Sequence, residues 1–133
     1  MHITKIEGIG SKYGSKLQSQ GVKTTEKLLE IAANRKGRQE LAEKTEISER
    51  MILEWVNRAD LMRVRGVGEE YSDLLEAAGV DTVRELRNRN VVNLHKALMS
   101  VNQEKKLVRR TPSLSEVDGW VEHAKSLPFV VTY

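Results

Sequence analysis

Gly8-Ile9-Gly10-Ser11-Lys12 places two glycines around one aliphatic residue and follows them with a hydroxyl and an ammonium group. Such an order suits anion binding. Glycine reaches positive φ without strain and lets a partner approach the bare backbone. A helical pattern begins at once, so the N–H groups of the turn and the unpaired N–H groups of the first helical turn can point the same way. Lys16 lies one turn on and adds a second ammonium group. The structural alternative is that the glycines only permit a tight turn while Ile9 plugs the core; contact with a protein is a third reading. A dinucleotide-binding loop is excluded, because Tyr13 stands where its third glycine belongs and no long strand precedes it.

The stretch returns. At an offset of 58 the chain repeats Gly8 as Gly66, Gly10 as Gly68, Tyr13 as Tyr71, Leu17 as Leu75, Gly21 as Gly79, Val22 as Val80, Thr24 as Thr82 and Leu28 as Leu86. Ordinary residue usage gives roughly one or two identities over such a span, so the halves are a duplication. The second copy differs at its chemistry: Glu69 and Glu70 replace Ser11 and Lys12, and Asp73 follows one turn later. Carboxylates repel phosphate, which makes Gly66 and Gly68 a poor second contact.

The elements that must position these turns follow a shared grammar. Tyr13 and Leu17 share a helix face, Gly21 ends that helix, and Thr24 caps a second one through Leu28, Leu29, Ala32 and Ala33. In the second copy Gly79 is the stop, and Thr82-Val83-Arg84-Glu85 reads as a capping box. Asn34-Arg35-Lys36-Gly37 reads as a polar turn before a short helix with Leu41 and Ala42, which gives way at Thr45-Glu46-Ile47-Ser48. Ser48 then caps a helix with Ile52, Trp55, Val56 and Ala59 on one stripe. Its counterpart carries Val117, Trp120, Val121 and Ala124, so the later copy holds a net insertion of seven residues. Asn93 caps a helix with Leu94, Ala97, Leu98 and Val101 on one face, and Pro128 ends the last helix before an extended tail, Phe129 to Tyr133.

The chain has 133 residues, 31% of them charged, with a net charge of +3. A strong nucleic-acid binder carries a larger basic excess, so any such binding is local. Lys105, Lys106, Arg109 and Arg110, within the insertion, are the densest positive run; charge runs usually face solvent. Trp55 and Trp120 fit core stripes better than base-stacking platforms. There is no cysteine, which excludes disulfides and thiolate chemistry. The three histidines are scattered without zinc spacing, and no nucleophile, base and orienter stand together. A non-enzyme with no metal or cofactor is expected. No apolar run or secretion signal suggests a membrane, and the cytoplasm is the expected location.

Ile6-Glu7-Gly8-Ile9-Gly10 with Tyr13, Leu17, Gly21-Val22 and Thr24, then Leu41-Ala42 and Ile47-Ser48, resembles a double helix-hairpin-helix domain and is similar to the N-terminal domains of archaeal and eukaryotic recombinases. The whole chain resembles a bacterial family of two-unit proteins described as a domain of unknown function. The resemblance implies an all-α fold of two tandem helix-hairpin-helix units, 1–60 and 61–133, packed as one body. In DNA-binding members of that superfamily the hairpin amides hold a phosphate without reading base sequence. Carried over, the amides around Gly8 and Gly10 are the donors, with Ser11, Lys12 and Lys16 as side-chain contacts. The expected function is weak, non-specific binding to DNA or RNA backbone. The alternative is a protein-interaction adaptor, whose partner meets Glu69, Glu70 and Asp73 or the aliphatic tail.

Overall fold

Most of the helices start where a small polar side chain takes an orphan amide of the first turn. In the computed structural model, which describes residues 1–133, Thr24 accepts from the Lys27 amide at 3.0 Å and opens α2 (Thr25–Ala32). Asn34 accepts from the Gly37 amide at 2.7 Å and opens α3 (Arg35–Thr45). Ser48 accepts from Met51 at 3.2 Å ahead of α4 (Glu49–Leu61). The other helices are α1 (Gly10–Ser19), α5 (Glu69–Ala77), α6 (Val83–Leu86), α7 (Val91–Lys105) and α8 (Leu114–Ser126). One 3₁₀ turn, Ile3–Lys5, precedes them, and there is no β-strand. The chain is all-α, as expected.

Three starts differ from the sequence reading, each for a local reason. The polar turn at Asn34 is itself the beginning of α3. Helix α7 starts from Asn90, whose side chain accepts from the Asn93 amide at 3.0 Å, so Asn93 lies inside the first turn. The Thr82 side chain makes no cap bond; Glu85 instead accepts from the Asp81 amide at 3.2 Å. A capping box does form at Ser113 and Glu116, where each side chain takes the other's amide at 3.1 Å.

The chain divides into two units, Met1–Asp60 with Val130–Tyr133, and Leu61–Phe129. The last four residues, read from the sequence as part of the second unit, therefore group with the first. In the first unit the buried side chains include Ile3, Ile6, Ile9, Leu17, Leu28, Ile52 and Trp55. Helices α2 and α3 pack so closely that a Cβ on Gly37 would lie 2.0 Å from the Ile31 carbonyl oxygen. The tail joins this unit by its backbone: the Thr132 amide donates to the Ala33 carbonyl at 2.9 Å. Arg38, only 4% exposed, donates to the Ala32, Ala33 and Thr132 carbonyls at 3.1, 2.8 and 2.6 Å. In the second unit one apolar cluster joins Leu74, Leu75, Leu86, Leu94, Leu98, Val117 and Trp120, with α7 packed on α5 and α8, and α6 on α8.

Gly37→Ala is expected to destabilise by ~2 kcal/mol or more in urea unfolding, because the clash outweighs the gain in helix propensity. Arg38→Ala leaves the buried Ala32 carbonyl without this donor, removes the tie to Thr132 and empties a buried site, and should cost about 3 kcal/mol. A double-mutant cycle with Thr132→Pro should show coupling between the two sites, since one removes the bond to the Thr132 carbonyl and the other the bond from its amide, and the two bonds hold the same tail segment.

Candidate functional site

The first turn is built from overlapping short-range bonds. The Ile6 amide donates to Ile3 at 3.2 Å and the Ile9 amide to Ile6 at 3.3 Å. Gly8 sits at φ +91° with its open face toward the Trp55 indole, whose Nε1 would be 3.8 Å from a Cβ there. The Tyr13 ring lies 5.5 Å from that of Trp55, tilted by 56°. Gly8, Gly10, Ser11 and Lys12 are exposed, and their amides donate to no acceptor within the protein. Lys16 is half-buried on the same helix. Ile9 must be removed from the candidate contacts: its side chain is 1% exposed and its amide is already engaged, so it plugs the core.

The second turn copies the frame and changes the surface. The Val67 amide donates to Val64 at 3.1 Å, Gly66 sits at φ +89° with Trp120 Nε1 3.0 Å from a Cβ placed on it, and Tyr71 lies 5.1 Å from Trp120. Gly10 has φ +59°, whereas Gly68 is extended at φ −108° and ψ −154°. Glu69 and Glu70 are exposed in the first turn of α5, where their charge complements the helix dipole. The chain's own carboxylates thus stand where an outside anion would come.

The insertion folds back on this second turn. Asn102 clamps it, donating to the Val108 carbonyl at 3.1 Å and accepting from the Val108 amide at 2.9 Å. The Tyr71 hydroxyl donates to the Arg110 carbonyl at 2.8 Å. Arg109 and Arg110 then share a surface cavity of about 330 Å³ with Gly68, Glu69, Glu70 and Tyr71. Arg110 is not a free cation, because its two Nη atoms donate to the Glu116 carboxylate at 2.7 and 2.8 Å. That fork, together with the Ser113 amide, holds the Glu116 pKa down to about 2 and raises that of Arg110. Lys105 ends α7, and Lys106 caps it in the left-handed conformation at φ 52°. The two lysines lie outside the cavity, so it is the arginines alone that join the acidic turn.

Both tryptophans are 3% exposed and serve as floors for the turns. Arg35, Arg38 and Arg50, which sequence reasoning did not single out, line a second cavity in the first unit. The spacing of Arg35 and Arg38 puts them on one face of α3, a signal that was present; nothing local announced that Tyr133 would join them.

Residues 7–127 match the model of a protein family described as a domain of unknown function, DUF4332. The chain belongs to that family. No solved structure matches it. No helix is long and apolar enough to cross a membrane.

Glu116, ordinarily near 4.5 and lowered in the fold, contributes stability that is complete above its unfolded pKa and is lost as pH falls toward about 2. Urea unfolding of the native chain and Glu116→Gln should show a constant difference above about pH 5.5 that shrinks below about pH 4.5. Gly66→Ala should cost more than Gly8→Ala, by ~1 kcal/mol, because both lose a positive-φ glycine and only the former crowds the indole.

Proposed function

We propose that the chain is a non-enzymatic binding module that contacts nucleic-acid backbone weakly and without sequence specificity. Each turn with its flanking helices is read as a helix-hairpin-helix unit, and the first unit carries the contact. The observation behind this reading is the group of exposed, unengaged amides at Gly8, Gly10 and Ser11 beside the Lys12 ammonium group. Amides held by a rigid turn donate to a phosphate oxygen with little reorganisation, and Lys12 and Lys16 add charge that any phosphate satisfies equally. Lys105, Lys106 and Arg109 are candidates for further phosphate contacts, and Arg110 is a weaker one because Glu116 neutralises it.

With about three phosphates contacted, log affinity should fall with log salt at a slope of about −3. Fluorescence anisotropy with duplex and single-stranded DNA at two salt concentrations measures it. Lys12→Glu should abolish binding, while Glu69→Ser with Glu70→Lys should strengthen it and steepen the slope by about 1. Absence of saturable binding at ~50 mM salt overturns the reading.

The exposure of Glu69 and Glu70 favours a second reading, an adaptor whose basic protein partner docks on the second turn. Asp73 is half-buried and Val131 is buried, so the candidate contacts are the two glutamates or, as a separate alternative, the exposed Phe129 and Val130 of the tail. Retention of one stoichiometric protein after nuclease treatment of a lysate, with loss on Glu69→Lys and Glu70→Lys, would select it.

A further inference from the structure

Arg38 is a buried cation whose hydrogen bonds all run to neutral carbonyls, those of Ala32, Ala33 and Thr132. Those bonds hold the guanidinium without neutralising it. Burial pulls its pKa down, while Tyr133 and Glu49 pull it up and Arg35 adds to the lowering. Buried charges are ordinarily balanced by an opposite one. Here the group lines a cavity of about 340 Å³, together with Arg35, Glu49, Arg50, Leu53 and Tyr133.

The cavity lies between the starts of two helices, with Arg35 opening α3 and Glu49 and Arg50 opening α4. Both helix starts add positive potential. Arg35 and Arg50 are exposed, and the one ion pair of Arg50, with Glu54, is long at 3.8 Å on side chains that are 89% and 62% exposed. Such a pair holds its arginine loosely. Three guanidinium groups face the Glu49 carboxylate and Tyr133, both of which oppose the charge of Arg38, so arginines outnumber the acidic groups of the lining, and planar guanidinium forks match phosphate oxygens two at a time. The remaining lining is a carboxylate able to accept from a hydroxyl, an aliphatic side chain and an aromatic ring that lies 5.9 Å from the Arg38 guanidinium.

We propose that this cavity of the first unit binds a phosphate monoester carried on a hydroxylated body, with Arg35 and Arg50 closing on the phosphate over the fixed charge of Arg38. The site is separate from the Gly8 turn and does not depend on the reading given to it. A free nucleotide and the phosphorylated end of a nucleic-acid strand present the same chemistry.

The test is a ¹H–¹⁵N NMR titration of the full chain with inorganic phosphate, AMP, and a dinucleotide with and without a 5′-phosphate. The Arg35 and Arg50 amides should shift and saturate by ~20 mM phosphate, as expected of a few charge contacts near the surface. AMP should bind more tightly than phosphate, and the unphosphorylated dinucleotide should leave these amides unmoved. Arg35→Gln with Arg50→Gln, both on the surface, should weaken AMP ~10-fold or more. Glu49→Gln should tighten inorganic phosphate ~3-fold by removing the opposing charge, a gain that a purely structural role would not produce, and should tighten AMP less because the amide is a weaker acceptor for its hydroxyls. Lys12→Glu should leave AMP affinity unchanged, which separates this site from the turn. Tighter binding of the phosphorylated dinucleotide than of AMP identifies the strand end as the ligand, and the reverse order identifies the free nucleotide. No saturable shift at Arg35 and Arg50, or equal AMP affinity in the folded double arginine variant, overturns the proposal.

Discussion

Each turn rests on a tryptophan contributed by a helix that lies far along the chain. Trp55 under Gly8 and Trp120 under Gly66 are both buried and each is crossed by a tyrosine from the helix that follows the turn. An indole is large and rigid, so its position fixes the backbone laid over it; positive φ favours glycine at both turns, and at Gly66 the indole also leaves little room for a Cβ. The aliphatic residue between the glycines then points inward, and the amides on either side of it are left at the surface. Anything the turn does with an anion depends on this seat. The same frame recurs with 3.0 Å instead of 3.8 Å of clearance, so the second unit keeps the seat while its surface chemistry has diverged.

That divergence has a physical logic. Once Glu69 and Glu70 occupy the start of α5, the helix dipole is complemented from within, and the positive charge near the turn comes from Arg109 and Arg110 of the insertion. The insertion is held by three devices: the Asn102 clamp, the Tyr71 hydroxyl on the Arg110 carbonyl, and the Arg110–Glu116 fork. Both copies leave turn amides without a backbone acceptor; the first sets a lysine beside them, and the second sets two carboxylates and the arginines of the insertion.

Much of this architecture was legible in the residues. The duplication, the glycine stops at Gly21 and Gly79, the caps at Thr24 and Ser48, and the core stripes around Trp55 and Trp120 are local or periodic signals, and sequence carries those well. The start of α3 was less legible because Asn34-Arg35-Lys36-Gly37 reads equally as a polar turn, and that of α7 because Asn90 and Asn93 compete for the cap position. At Thr82 a capping-box pattern was present, but the glutamate reached the preceding amide instead. The roles of Arg38 and Val131 were invisible for a different reason. Arg38 and its tail partner Thr132 lie 94 residues apart, Val131 is buried beside that contact in sequence, and no spacing rule spans such a separation. Glu46 shows the limit from the other side: it adopts φ +59°, a left-handed conformation at the helix end that glycine signals and glutamate does not.

The assignment of Val130–Tyr133 to the first unit makes that unit discontinuous in sequence. A ribosome releasing the chain from its N-terminus delivers Arg38 and the Ala32 and Ala33 carbonyls well before the residues that complete them. At ~5–20 residues per second, the roughly 90 residues between Arg38 and Val130 take roughly 5 to 20 seconds to emerge. For that interval the first unit exists without its closing segment, while the second unit already has all of its own residues before the last four are added. Maturation of the two halves is thus out of step with their order in the gene.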